Sequence, residues 1–324
     1  MRTILLFLVL LSLTAFSLSW GSAGFDLGSW LCEEGSEFQR AIFFNNRLPR
    51  TLLALLAGSG AAVAGLLLQT IFRNPLAGPT TLGINSGASL GVALYYFLIS
   101  SGLTALTVAG PASFAAVGAI VFLVIIVLFS KRFESVYTLL IVGLLMGYLA
   151  YAIVELLIQF SSEGGIRSYV FWGMGSFNGG NDLQIAALGV LTALAVLYAW
   201  IQREQLNLYL LGEEELKLRK GNPFQLKWQV LVLTGLLVGI ATSITGPLAF
   251  IGVIAPNIIK FILGTLNHRK LIWKVIFLGS SMALAADLIA RGALFDRSLP
   301  LNAILSLMSV PILLILLKKP DHAN

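Results

Sequence analysis

Charge is scarce in this chain: of 324 residues, 11% are Asp, Glu, Lys or Arg, against about 25% in a soluble domain. Cysteine is nearly absent. Cys32 stands alone and there are two histidines, His268 and His322, which excludes an internal disulfide framework and a Cys/His metal cluster. The residues before Cys32, Ser29-Trp30-Leu31, are not the small residues that precede a lipidated cysteine. No G-x-x-x-x-G-K-[ST] occurs, so the chain carries no phosphate-binding loop of its own. H-E-x-x-H is also missing, which removes the common metal-hydrolase pattern. No catalytic, cofactor-binding or metal-ligating residue is predicted, and the chain reads as something other than an enzyme.

What is abundant is apolar surface. Hydrophobic residues make up 57% of the chain and the mean hydropathy is +0.90, so its solvent is mostly lipid. Apolar runs of about 20 residues read as membrane helices, because backbone groups in hydrocarbon must pair within the segment. Ten runs are predicted, at about 3–20, 51–71, 82–100, 106–130, 136–160, 183–201, 229–247, 250–264, 272–290 and 301–317. Gly110-Pro111 is expected to shorten the fourth. The eighth follows Gly246-Pro247 and is expected to begin as a loop or broken helix. The fold class is therefore all-α, a single integral membrane domain over residues 1–324.

The formal charge of +6 orients the chain and does not indicate nucleic acid. With ten crossings and both termini on the cytoplasmic side, 15 of the 21 basic residues fall on inner segments, among them Arg2, Arg73, Arg203, Lys217 and Lys260. Only Arg40, Arg47, Arg50, Arg167, Arg291 and Arg297 fall on outer ones, which satisfies the positive-inside rule. Met1–Phe16 resembles a signal peptide, but an uncleaved first span fits this partition better.

Two polar segments interrupt the apolar pattern. The outer segment 21–46 holds Asp26, Glu33, Glu34 and Glu37. The inner segment 202–228 mixes both charge signs at helical spacing and breaks at Gly212 and at Gly221-Asn222-Pro223, so it reads as two short helices. Leu206, Leu208, Leu210, Leu211, Leu216 and Leu218 are too many for a solvated linker and require a surface to pack on. Within the spans, Glu155 and Asp287 are the ionisable candidates. Glu155 could relay protons, line a wet path or bond a neighbouring helix. Asp287 lies four residues before Arg291, a spacing that permits an ion pair. Gly58, Gly60 and Gly65, and then Gly83, Gly87 and Gly91, form small-residue faces for close helix packing.

In order, the chain contains RLPR (Arg47–Arg50), LLLQTIFRNPLAGPTTLGINSGASLG (Leu66–Gly91), LGEEELKLRKGN (Leu211–Asn222), GPLAFIGVIAPNI (Gly246–Ile258), HRKL (His268–Leu271) and ADLIAR (Ala286–Arg291). Together these resemble the FecCD/BtuC-type permeases, the membrane subunits of ABC importers for ferric siderophores, haem and vitamin B12. The resemblance covers the chain from about residue 40 onward. It implies ten helices per subunit and a homodimer with a path along its two-fold axis. Two ATP-hydrolysing subunits would sit on the cytoplasmic face and a periplasmic substrate-binding protein on the other, in a bacterial inner membrane. By the same resemblance, Leu211, Gly212, Glu213, Glu214, Glu215, Arg219, Lys220, Gly221 and Asn222 contact the ATPases. Arg47, Arg50 and Arg291 receive acidic residues of the binding protein. Glu155, Asn85, Ser86 and the outer loop carrying Phe171, Trp172, Met174, Ser176, Phe177 and Asn178 line the path. Ferric siderophore ranks first among the cargoes, and an ion-coupled carrier using Glu155 is the alternative. Asn257 stands where many relatives have histidine, and Ala249-Phe250-Ile251-Gly252 where many have Gly-Phe-Val-Gly; both departures are expected near the outer mouth. Asn74-Pro75 and Gly78-Pro79 are read as stopping one helix and starting the next.

Overall fold

The apolar runs fold as helices. A computed structural model describes residues 2–20, 37–103, 109–132, 136–293 and 299–318, and every regular element among them is helical. Cys32, Asp26, Glu33, Glu34, Arg297, Lys319 and His322 lie outside the described residues. The helices are α1 (Arg2–Ser19), α2 (Glu37–Phe72), α3 (Ile84–Ser100), α4 (Gly110–Arg132), α5 (Val136–Gln159), α6 (Glu163–Gly173), α7 (Asp182–Ile201), α8 (Arg203–Leu211), α9 (Glu213–Leu218), α10 (Pro223–Thr245), α11 (Ile251–Leu263), α12 (His268–Leu288) and α13 (Leu301–Lys318). Each predicted run coincides with a helix. Seven of them, α1, α2, α4, α5, α7, α10 and α12, are long and apolar enough to cross a bilayer, while α3, α11 and α13 are apolar but shorter.

Several boundaries differ from the sequence reading. Residues 37–46 are helical, because α2 begins at Glu37 and passes through a π-helical turn at Phe43–Arg47. Helix α10 starts at Pro223, so the polar segment ends at Asn222 and residues 223–228 are the first turns of the next helix. Helix α12 likewise begins at His268, capped by Asn267, whose side chain accepts from the Arg269 amide. Pro79 opens a short 3-10 turn, Pro79–Leu82, ahead of α3. The glycine-rich start of α6 hides that helix from periodicity, but Ser162 caps it by accepting from the Gly165 amide.

Polar ties define two ends. Arg73, just past α2, donates to the Tyr209 carbonyl of α8. The opposite end of α2 carries Arg47 and Arg50, beside Ser17 and Ser19 of α1 and Asp287 of α12. We call these the α8 end and the far end. Arg2 donates to the Ile262 carbonyl at the close of α11, which places the start of α1 at the α8 end.

Helix α2 is the spine. From Leu53 to Phe72 most of its side chains are buried, and α12 lies along it. The small-residue face explains the closeness: a Cβ at Gly58 would stand 2.5 Å from the Gly279 carbonyl oxygen and 2.6 Å from the Ala283 Cβ. The Ser280 hydroxyl donates to the Leu55 carbonyl across the same seam. Lipid supplies no hydrophobic drive between helices, so this contact geometry is the cohesion. Gly58→Val is expected to cost about 1–3 kcal/mol by overpacking, read as a lower melting temperature in detergent. A melt like that of the unmodified chain would contradict the seam.

Candidate functional site

At the α8 end, the polar segment folds into α8 and α9. The break between them is Gly212, at φ 150 and ψ 153, a backbone region open essentially to glycine alone. Helix α9 closes with Lys220 in the left-handed conformation at φ 60. The Gly221 amide bonds the Leu216 carbonyl and the Lys220 amide bonds that of Lys217, the paired pattern of a Schellman closure. Asn222 then caps α10 by accepting from the Gln225 amide, with Pro223 in the first turn. LGEEELKLRKGNP therefore encodes two sharp reversals, and every punctuating residue has a local structural task.

The leucines of this segment divide. Leu206 and Leu216 are buried in the chain's own core together with Tyr209. Leu208 and Leu210 are half-buried. Leu211 and Leu218 remain 74% and 78% exposed. The surface predicted for the segment is thus partly internal, and two leucines are left facing outward beside the exposed Glu213, Glu214, Glu215, Arg219 and Lys220.

Side chains absent from the sequence-based site bind α8 to the bundle. Arg73 adopts φ 46, donates through Nε and a terminal nitrogen to the Tyr209 carbonyl at 3.1 and 2.9 Å, and lies 4.9 Å from the Tyr209 ring centroid. The Tyr209 hydroxyl donates to Glu213 across the Gly212 break. Burial, together with the neighbouring carboxylate, holds that phenol above its ordinary pKa, so it stays a donor. On the other side, the Asn207 side-chain oxygen meets the His268 amide at 3.0 Å and its Nδ1 at 2.8 Å. His268 is buried, and its Nε2 lies 2.8 Å from the Thr70 hydroxyl of α2. Asn257 belongs to this end too. It donates to the Pro75 carbonyl, which corrects its expected place at the outer mouth: α11 runs from the middle of α2 toward the α8 end. Ala249, whose amide donates to Asn302, does stay nearer the far end.

The far end is organised around one carboxylate. Asp287 is 1% exposed. It accepts from Arg50 at 3.0 Å (Nε) and 2.8 Å (terminal nitrogen) and from Arg291 Nε at 2.7 Å, with a second, shorter Arg291 contact. The predicted i,i+4 pair exists, and a third member from 237 residues away completes it. Arg291 also donates to Ser17, and Arg47 to the Leu18 and Ser19 carbonyls. Arg50 also reaches Asn178 at 2.7 Å. The three arginines predicted to receive a partner are therefore already engaged within the chain. They line a cleft of about 760 Å³ together with Phe171, Met174, Ser176 and Asn178. Among the described residues, the charged groups on its wall are Arg47, Arg50, Arg291 and Asp287, three cations and one anion.

The other predicted path residues are dispersed. Phe171, Trp172 and Gly173 close α6 and are not loop residues. Phe177 is fully buried and faces the core. Asn85 accepts from Thr242 beside a separate cavity of about 20 Å³, room for a single water. Ser86 faces Gly147 of α5. Glu155 is exposed on α5, bonded by Tyr151 one turn earlier. Sequence reasoning missed Asn302. It donates to the carbonyls of Gly173 and Met174 and accepts from the Ala249 amide, so it joins α6, the α10–α11 link and α13.

Comparison with known proteins places this architecture. The chain matches the FecCD transport family over residues 4–319. It is 34% identical over 313 residues, 96% of this chain and 91% of the relative, to the vitamin B12 import system permease protein BtuC of Klebsiella pneumoniae. It is 33% identical to the protein of the same name from Salmonella typhi, covering 96% and 93%. A solved structure described as an inward-facing conformation of a putative metal-chelate type ABC transporter superposes with a TM-score of 0.85 at 30% identity, covering 98% of each chain. PsaBC of Streptococcus pneumoniae in complex with Fab, at 17% identity and a TM-score of 0.58 over 88% and 96%, shares the fold. On sequence and on structure, the chain belongs to the FecCD transport family and is a permease of the ABC-importer type, not an enzyme.

Proposed function

We propose that the chain is the membrane subunit of an importer that brings a metal chelate from the periplasm to the cytoplasm, and that it works as a homodimer in a bacterial inner membrane. The whole chain forms one membrane-embedded domain of ten crossings, with both termini and α8–α9 on the cytoplasmic side. The fifteen-to-six division of basic residues supports this orientation. The observation that carries the reading is the combination of a permease fold, matched over 98% of a solved relative, with no nucleotide-binding loop in the sequence: the energy must arrive through a partner. Two ATP-hydrolysing subunits take the α8–α9 surface, with Leu211 and Leu218 as apolar contacts and Glu213, Glu214, Glu215, Arg219 and Lys220 as polar ones. Gly212, Gly221 and Asn222 hold that surface in shape.

A periplasmic binding protein docks at the far end. The excess of guanidinium over carboxylate among the described residues around Asp287 suits acidic residues on its lobes. Arg50 and Arg291 reach such residues while still bound to Asp287, since each fork has donors to spare. Glu155 and the exposed face of α5, with Phe171, Met174, Ser176 and Asn178, border the path; Asn85, Ser86, Trp172 and Phe177 support it from behind. The relatives named for vitamin B12 import favour cobalamin over the ferric siderophore that ranks first by family resemblance, with haem third.

The experiment is uptake into proteoliposomes holding the permease, its ATPase and its binding protein, with labelled cobalamin, a ferric siderophore and haem offered in competition. The expected result is ATP-dependent accumulation of one metal chelate, blocked by an excess of the same unlabelled compound. Accumulation of none of the three would overturn the cargo class.

A further inference from the structure

We propose that α2 and α12 form one rigid strut carrying the docking signal from the far end to α8, and that Arg73, Tyr209, Asn207 and His268 are the positioning residues that pin α8 to it. This rests on the reading of α8–α9 as the ATPase contact.

The two helices cannot slide past each other. Gly58 and Gly279 bring their backbones together at mid-length, and Ser280 donates to the Leu55 carbonyl. At the far end the pair is locked by Arg50 of α2 on Asp287 of α12. At the α8 end it is locked again by Thr70 of α2 against His268 of α12. Three ties along a 25-residue stretch, about 37 Å of helix, leave no soft joint between the ends. Packed interfaces of this kind move as units.

Helix α8 is gripped by both members of the strut. Asn207 and Tyr209 stand two residues apart, so they leave the helix on different sides. Asn207 meets the first residue of α12, and the Tyr209 carbonyl and ring meet Arg73 at the close of α2. Tyr209 passes the tie on to α9 through Glu213. A displacement of the far-end arginines by a docked protein therefore reaches α8 without crossing a loop.

Two measurements test the strut. In complexes reconstituted with ATPase and binding protein, Arg73→Ala and Asn207→Ala should leave complex assembly and basal ATP hydrolysis intact. Each should reduce the stimulation by binding protein at least about fivefold, the lower range of an allosteric coupling. Arg73→Lys, which keeps the charge and N–H donors on a single nitrogen, should restore most of it. Unchanged stimulation with both ties removed would overturn the strut and leave the importer reading standing. Failure of the unmodified chain to bind any ATPase subunit would bring down both. The second measurement leaves the ties untouched. Spin labels at Leu52 of α2 and Glu204 of α8, in a Cys32→Ser background, should keep their separation within about 1 Å when the binding protein docks. A change above about 2 Å, the size of a helix shift, would overturn the inference.

Discussion

Asp287→Ala should destabilise the chain by about 3–5 kcal/mol, the cost of breaking a buried ion pair from one side. The side chains of Arg50 and Arg291 are only 17% and 9% exposed beside a carboxylate at 1%. Removing that carboxylate leaves two guanidiniums in a poorly hydrated site. Arg50 keeps its bond to Asn178 and Arg291 its bond to Ser17, and neither replaces the lost charge. Asp287→Asn, which retains an acceptor oxygen, should fall between the two. Thermal denaturation in detergent reads the series. If Asp287→Ala melts with the unmodified chain, the far end is not held by this network.

The opposite behaviour is expected at the other end. Replacing Leu211 and Leu218 together with aspartate should abolish association with the ATPase subunit and ATP-driven uptake while leaving the melting temperature unchanged. Both leucines already face outward, so the fold loses no burial. Covering them with a partner would contribute about 1.5–3 kcal/mol each. Their loss removes at least a hundredfold in affinity before the penalty for burying carboxylates is counted. Co-purification and a melt on the same sample separate the two effects. Retained association would refute the docking role of this surface, and a collapsed melt would show the leucines to be structural.

The features legible in the sequence are those set by neighbours in the chain. Helix α2 stops at Phe72 because Arg73 takes the left-handed conformation ahead of Asn74-Pro75. Gly212 and Gly221-Asn222-Pro223 mark the ends of α8 and α9 because the first needs a glycine-only backbone and the last supplies a cap and a first-turn proline. The Asp287–Arg291 pair follows from helical spacing. The rest depends on contacts that no local pattern encodes. Arg50 reaches Asp287 across 237 positions and Arg73 reaches Tyr209 across 136, so neither the shared carboxylate nor the pinning of α8 shows in periodicity. Asn302 looks like one more polar residue at a helix start until three backbone partners converge on it. Helix α6 escapes because two glycines open it, and the helical residues 37–46 escape because the π-helical turn shifts the register of the apolar face. Leu216 illustrates the limit of composition: six leucines call for a surface, and only the packed chain tells which of them find it at home.

Whether this permease lacks an energy source of its own and is driven from the α8 end is decided by uptake into sealed proteoliposomes with binding protein outside and the ATPase bound, comparing trapped ATP with a non-hydrolysable analogue, and with an imposed proton or sodium gradient instead of nucleotide. Accumulation only with hydrolysable ATP, lost in the Leu211→Asp, Leu218→Asp chain, is the predicted result. Gradient-driven uptake by the permease alone, abolished by Glu155→Gln, would contradict it.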